Sequence, residues 1–135
     1  MAGEYYVLHD LSLRAVVCQK TGEGVANDII MYLPQGIRLL EVKTCGGART
    51  KTKVKQHRYK TGYYETSMCS FAAGTGTGFD QYYKTAHAIA FVKLDVLRII
   101  YMLITEVSGS TVNFRPERFH DRCTDRSFEW IMSQL

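Results

Sequence analysis

The segment that most constrains this fold is residues 28–43, which read as two apolar strands joined by a turn and framed by charged groups. It begins with Asp28, turns at Pro34-Gln35-Gly36 and ends with Glu41-Val42-Lys43. A hairpin with a short turn brings Asp28 beside Glu41. Side chains alternate along a strand, so Glu41 and Lys43 share one face while Val42 points to the other. The sequence therefore predicts that two carboxylates and an ammonium meet at one end of a small sheet.

These three side chains are the groups that metal-assisted phosphodiester hydrolysis requires, because carboxylates can hold a divalent cation that activates water. The acid-x-Lys triplet alone says little, since a chain of this length contains several such triplets by chance. Its surroundings add weight. The triplet closes an apolar strand, an acid opens the preceding strand, and a predicted helix carrying Glu4 comes before both. We therefore interpret Asp28, Glu41 and Lys43 as candidate catalytic residues, with Glu4 as a fourth.

A basic segment follows the triplet directly. Residues 43–60 contain seven Lys or Arg and no Asp or Glu. A field of one sign favours a polyanion, and nucleic acid is the commonest one. Taken alone, the run is also compatible with a solvated basic surface. The predicted DNA-binding residues are Arg49, Lys51, Lys53, Lys55, His57, Arg58 and Lys60.

Length and composition predict one globular domain over residues 1–135, with 46% hydrophobic and 22% charged residues. The N-terminal sequence does not resemble a signal peptide, and no apolar run is long enough to span a bilayer. We therefore expect a cytoplasmic protein without membrane contact. The four cysteines are scattered without a CxxC pair, which favours reduced thiols over a disulfide scaffold or a zinc site.

Periodicity predicts helices at both ends of the chain. Tyr5, Leu8 and Leu11 recur at helical spacing within a first helix over 3–15. Asp125 is expected to cap a final helix over 126–134.

Strands are expected between these helices. Besides the hairpin at 28–44, the pattern predicts a short strand or ordered connection at 15–18, an edge strand at 50–55, a second hairpin at 86–103 and an extended segment at 113–116. Loops are expected at 19–24 and at 70–78, where glycine is frequent. The sum is an α/β fold of mixed α+β type, with a central mixed, mainly antiparallel sheet flanked by helices.

In this order, the residues resemble the PD-(D/E)XK nuclease superfamily. The resemblance rests on Gly3-Glu4, on Asp28-Ile29-Ile30 and on Leu39-Leu40-Glu41-Val42-Lys43-Thr44. It is closest to the cyanobacterial intron homing endonuclease type and its phage relatives, with weaker similarity in the C-terminal half. Asn27 stands where many members have a proline before the first acid.

The resemblance implies a restriction-endonuclease-like core and a metal-dependent DNA endonuclease. Asp28 and Glu41 would hold Mg²⁺, or Mn²⁺ as a plausible substitute, together with the backbone carbonyl of Val42. Lys43 would position or deprotonate the attacking water and offset transition-state charge. Glu4 would complete the metal site through water, unless it is only an exposed acid stabilised by the helix dipole. Gln19, on a predicted loop, is a further candidate.

The role favoured by this resemblance is a site-specific homing-type or phage-borne endonuclease of prokaryotic, phage or viral origin. A Holliday-junction resolvase and a catalytically silent DNA-binding module are the alternatives. The expected partners are double-stranded or branched DNA and further copies of the chain. A homodimer or homotetramer is expected, because one small domain contacts only a short stretch of DNA.

No other cofactor is predicted. His120 and Cys123 have metal-ligand spacing, but the sequence has no second pair to complete a zinc site. The glycines at 74–78 are not followed by Gly-Lys-Ser/Thr, which a nucleotide-binding loop requires.

Overall fold

The fold is a five-stranded sheet with helices on one face and a strand pair on the other. A computed structural model describes residues 2–22, 27–45, 51–53, 65–67, 69–72, 85–107 and 111–135, with only the backbone for 51–53 and 65–67. The helices are α1 (Ala2–Leu13) and α2 (Cys123–Gln134). The strands are β1 (Val17–Lys20), β2 (Ile29–Leu33), β3 (Gly36–Cys45), β4 (Lys51–Lys53), β5 (Glu65–Ser67), β6 (Cys69–Ala72), β7 (Ala88–Lys93), β8 (Arg98–Leu103) and β9 (Thr111–Phe114).

The central sheet has the order β1-β2-β3-β7-β8. Its pairs are antiparallel except β3 and β7, which run parallel. Two further pairs, β4 with β5 and β6 with β9, are antiparallel and separate from this sheet. The predicted fold class, a mixed and mainly antiparallel sheet with helices, is therefore confirmed, as are both hairpins.

Helix α1 packs on the sheet with Leu8 and Leu11 of the predicted periodic positions against the hydrophobic core, but without Tyr5. Its buried residues are Gly3, Val7 and Leu11, whereas Tyr5 is 60% exposed. The position of Gly3 sets this face, because a Cβ atom there would lie 2.0 Å from Thr44 Oγ1 on β3. Only glycine permits so close an approach, and the following turns then present residues at four-residue intervals to the sheet.

The two faces of the sheet carry separate apolar clusters. The helix face holds Val7 and Leu11 of α1, Ile131 of α2 and the inward residues of all five strands. On the other face, Phe71, Phe91 and Phe114 pack edge to face, with ring centroids 5.1–5.7 Å apart. Strands β6 and β9 contribute Phe71 and Phe114, which pack on residues of β7 and β8, so the cluster covers the β7–β8 half of the sheet.

Strand β6 corrects the prediction of a loop over 70–78. Residues 69–72 form a strand that pairs with β9, and Phe71 is buried in the phenylalanine cluster. The remainder of that predicted loop lies outside the described residues. The predicted loop at 19–24 also begins too early, since β1 continues through Gln19 and Lys20 opposite β2.

Helix α2 begins three residues before the predicted start. Asp125 lies in its first turn rather than at its cap, and its carboxylate binds the guanidinium of Arg14. The helix also covers the outer edge of the sheet, where the amides of Ile99 and Tyr101 donate to Thr124 and Ser127 hydroxyls at 2.9 and 3.0 Å. These bonds satisfy edge groups that would otherwise be open to pairing.

Candidate active site

The first hairpin brings Asp28 and Glu41 together. In the β2–β3 register Ile29 lies opposite Leu40, and the amide of Asp28 donates to the Leu40 carbonyl at 3.2 Å. Asp28 Oδ2 accepts a 2.8 Å hydrogen bond from the amide of Val42. The Asp28 carboxylate is therefore fixed against the backbone of the acid-x-Lys triplet, beside the Glu41 side chain.

Glu41 is the buried acid of the site, with 4% of its surface exposed. Its Oε1 lies 3.1 Å from Lys43 Nζ, and its Oε2 has no hydrogen-bond partner among the described residues. Burial, and then the negative charge of Asp28, raise the pKa of Glu41 to about 7. Burial also raises the pKa of Asp28, against the Val42 hydrogen bond that lowers it. Two neighbouring carboxylates in a desolvated place favour a cation between them.

Lys43 and Val42 follow the predicted alternation along β3. The Lys43 side chain is half-buried on the face of Glu41, whereas Val42 packs into the helix-side cluster. The pairing of β2 with β3 ends at Ile29 and Leu40, so the Val42 amide bonds to the Asp28 side chain instead of a strand. In an antiparallel ladder the amide and carbonyl of one residue point the same way. The Val42 carbonyl therefore also faces the Asp28 side.

Glu4 approaches this group from the N-terminal turn of α1. The contact of Gly3 with Thr44 seats that turn on β3. The negative charge of Glu4 contributes to the raised pKa of Asp28, after burial. Glu4 Oε2 also lies 3.2 Å from Lys20 Nζ, and its side chain is only 20% exposed. The structure thus brings all four predicted catalytic residues together, and Glu4 is not merely a solvated acid at a helix start.

Lys20 is a member of this cluster that the sequence pattern did not single out. The contact with Glu4, above all, raises the pKa of Lys20, and Asp28 adds to it. The neighbouring Gln19, which was the candidate, lies on β1 opposite Ile30 with an exposed side chain. The signal that could have identified Lys20 is the alternation of side chains along β1. It places Lys20, rather than Gln19, on the sheet face that α1 covers.

Asn27, the residue directly before Asp28, has a structural contact. It is 2% exposed, and its Nδ2 donates to Thr85 Oγ1 at 3.1 Å. This bond ties the start of β2 to the segment that leads into β7. A proline at this position could not make this side-chain bond.

The oxygen atoms of this site fit a hard divalent cation. Asp28, Glu41 and the Val42 carbonyl offer oxygen ligands, which Mg²⁺ and Mn²⁺ prefer. The observation that supports this fit is the buried Oε2 of Glu41, to which the described part of the chain offers no hydrogen-bond partner. Within the described ranges, no three His, Cys, Asp or Glu side chains form a preassembled metal cluster. Two carboxylates and a carbonyl leave remaining positions for water or phosphate oxygens, as is usual for Mg²⁺.

The predicted DNA-binding segment lies almost wholly outside the described residues. Lys51 and Lys53 are on β4, which pairs with β5, and only their backbone is described. The other predicted contacts, Arg49, Lys55, His57, Arg58 and Lys60, are not among the described residues. Their contact with DNA stays a prediction. In the part of the chain that is described, no helix has the length and apolar character needed to cross a membrane.

The fold is similar to the solved structure of a bacterial homing endonuclease, I-Ssp6803I. The TM-score is 0.54, with 10% sequence identity over 96% of this chain and 80% of that chain. No family model matches the sequence, and a search of curated proteins found no match. At this identity the likeness concerns the fold, and it agrees with the predicted endonuclease-like architecture.

Proposed function

We propose that this chain is a metal-dependent DNA endonuclease with its active site at Asp28, Glu41 and Lys43. The observation that carries the proposal is the Oε2 atom of Glu41, which is buried beside a second carboxylate and has no hydrogen-bond partner among the described residues. An ionised oxygen in that position is unfavourable unless a cation binds to it. A purely structural or DNA-binding module gains nothing from such a pair, so this observation argues against the silent alternative.

Each residue has a distinct part in the proposed reaction. A bound Mg²⁺ would supply positive charge to the phosphate and lower the pKa of a water molecule. Asp28 and Glu41 hold it through their carboxylates, and the Val42 carbonyl is a further oxygen ligand. The Val42 amide keeps Asp28 Oδ2 in one orientation, so little reorganisation is needed on binding.

Lys43 acts on the phosphate side of the site. Its ammonium lies 3.1 Å from Glu41 Oε1, which keeps it next to the place where the scissile phosphate would bind. There it orients the attacking water and donates a hydrogen bond to a phosphate oxygen as negative charge develops. Such a preorganised charge typically contributes about 100- to 1000-fold in rate.

DNA is the proposed substrate, because the basic segment from 43 to 60 suits a polyanion and the similar fold is that of a homing endonuclease. The preferred role is cleavage of a specific duplex site by a homing-type or phage-borne enzyme acting as a homo-oligomer. A resolvase would differ in substrate, since it cuts four-way junctions with little regard to sequence.

The test compares wild type with Asp28→Ala and Lys43→Ala on plasmid DNA and on four-way junctions, with Mg²⁺ and with Mn²⁺. We expect wild type to cut plasmid DNA and both variants to lose the activity. Asp95→Asn is the matched control, because the partner of Asp95 among the described residues is Lys93, two residues away at the turn of the second hairpin, at 2.9 Å.

The outcomes separate the alternatives. If wild type cuts four-way junctions in preference to plasmid DNA, the protein is a junction resolvase rather than a homing-type enzyme. DNA binding without cleavage in either metal would indicate the silent module and contradict the proposed reaction. Variants that cut as fast as wild type would show that the site lies elsewhere.

A further inference from the structure

Lys20 lies on the helix face of the sheet, while Lys43 lies on the opposite face. The pairing of β1 with β2 places Lys20 opposite Ile29, one residue from Asp28. The amide of Thr21 donates to the Asp28 carbonyl at 2.9 Å, which fixes the end of β1 beside that acid. Backbone pairing thus sets the position of Lys20 on β1, and its side chain reaches Glu4 on α1.

The charged groups of the site form a continuous series. Three carboxylates, from Glu4, Asp28 and Glu41, lie between the ammonium groups of Lys20 and Lys43. Lys43 binds Glu41 Oε1 and Lys20 binds Glu4 Oε2, at 3.1 and 3.2 Å. The outer carboxylate on the α1 side therefore already has a cation, whereas Glu41 Oε2 on the other side has no partner among the described residues.

This asymmetry bears on how many metal ions the site accepts. Two-metal phosphodiesterases hold their ions about 3.5–4 Å apart through bridging and flanking carboxylates. The negative charge of Glu4 acts on Asp28, so a second cation on the Glu4 side would also lie beside Asp28. An ammonium bound to Glu4 occupies the ligand of the second ion and repels a divalent cation at that distance.

We propose that Lys20 takes the place of a second metal ion. In this arrangement one divalent cation binds at Asp28 and Glu41, and the ammonium of Lys20 supplies the positive charge on the Glu4 side. The inference rests on the proposed function, since it specifies the metal content of that same site. Lys20 thus controls the number of metal ions without binding one. Replacing Lys20 by an uncharged residue should convert a one-metal site into a two-metal site.

The experiment counts Mn²⁺ ions bound to the full chain by electron paramagnetic resonance of free Mn²⁺ during titration. We expect one ion per chain for wild type, two for Lys20→Met, and one for Lys20→Arg, which keeps the charge. Adding Glu4→Gln to Lys20→Met should return the count to one, because the second ion loses its carboxylate. Lys93→Met is the matched control, since Lys93 forms an ion pair with Asp95 rather than with Glu4, Asp28 or Glu41 among the described residues, and it should bind one ion.

Each outcome decides between the inference and its premise. A count of one for a folded Lys20→Met, or a count of two for wild type, overturns the inference and leaves the proposed endonuclease intact. Loss of all Mn²⁺ by a folded Lys20→Met also overturns it, because Lys20 would then be needed for the first ion. If folded wild type binds no Mn²⁺, or if Asp28→Asn binds Mn²⁺ as tightly as wild type, the metal site is not at Asp28. The proposed function then fails together with the inference. Circular dichroism establishes folding in every case.

Discussion

Two largely buried acids, Asp10 on α1 and Glu41 on β3, differ in how the surrounding residues compensate their negative charge. Asp10 has 15% of its side chain exposed, and its Oδ2 accepts from Tyr101 Oη at 2.7 Å and from Arg14 Nε at 3.0 Å. Arg14 then binds Asp125, so the network joins α1, β8 and α2. Glu41 is more deeply buried, yet one of its oxygens has no partner among the described residues.

The difference indicates what each site is for. Around Asp10, donors and a guanidinium from the chain itself complete the network, as expected for a structural role. Glu41 instead lies beside a second acid, Asp28. Burial, and then the negative charge of Asp28, raise the pKa of Glu41 to about 7. Perturbed acids of this kind cluster at functional sites. The first network should therefore govern stability, and the second should govern metal binding and catalysis.

The largest expected effect is on catalysis at Lys43. Lys43→Met should lower the rate of plasmid cleavage by roughly 100- to 1000-fold, because a preorganised charge at the phosphate is lost. Mn²⁺ binding should persist, since both carboxylates remain. Single-turnover cleavage and Mn²⁺ titration measure the two properties separately. Equal loss of metal binding and cleavage would place Lys43 among the groups that hold the metal site together.

The complementary change is Asp10→Asn, which should act on stability. Removing the negative charge leaves Arg14 with a weaker partner and weakens the Tyr101 bond, at a cost of about 2 kcal/mol in the free energy of unfolding. Urea denaturation measures this cost. Cleavage per folded molecule should stay within about twofold of wild type. A large loss of cleavage in the folded variant would remove the contrast between the two acids.

The third prediction concerns the close contact between the N-terminal turn of α1 and β3. Gly3→Ala places a methyl group against Thr44 Oγ1, and such overpacking costs roughly 1–3 kcal/mol. The helix end that carries Glu4 must then shift. Thr44→Ala, which is mild alone because Thr44 is exposed, should recover part of the loss in the double variant. Strict additivity of the two changes in urea denaturation would show that this contact does not seat the helix.

The most gradual predicted effect is the pH dependence of stability without metal. The pKa of Glu41 is raised above its unfolded value of 4.5 to about 7, so the folded state binds its proton more tightly. Stability should therefore be highest below about pH 4.5 as far as Glu41 is concerned, and fall as pH rises to 7, by roughly 1–3 kcal/mol. Glu41→Gln should flatten this slope in thermal melts. An unchanged slope would mean that Glu41 is ionised in both states.

The sequence was sufficient for the local parts of this site. Alternation along β3 and the Pro-Gln-Gly turn are short-range features, so the register that joins Asp28 to Glu41 followed from them. The contact between Lys20 and Glu4 depends on how α1 sits on the sheet, which local patterns do not specify. The close approach of Gly3 to Thr44 determines that seat, and with it the unexpected exposure of Tyr5.

Long-range pairing explains the other differences. Strand β6 reads as a glycine-rich loop, but Phe71 pairs opposite Val112, about forty residues later in the chain, and enters the phenylalanine cluster. Asp125 is a residue type that often caps helices, yet it lies in the first turn of α2 and binds Arg14, which is more than one hundred residues earlier in the chain. In both cases a distant partner outweighed the local preference.

Cleavage of supercoiled plasmid in Mg²⁺ by wild type, Asp28→Asn and Asp10→Asn, each shown to be folded, tests the central claim most directly. The account predicts that wild type and Asp10→Asn convert the plasmid to nicked and linear forms, while Asp28→Asn leaves it supercoiled. Cleavage by Asp28→Asn at the wild-type rate, or no cleavage by wild type itself in Mg²⁺ or Mn²⁺, would contradict it.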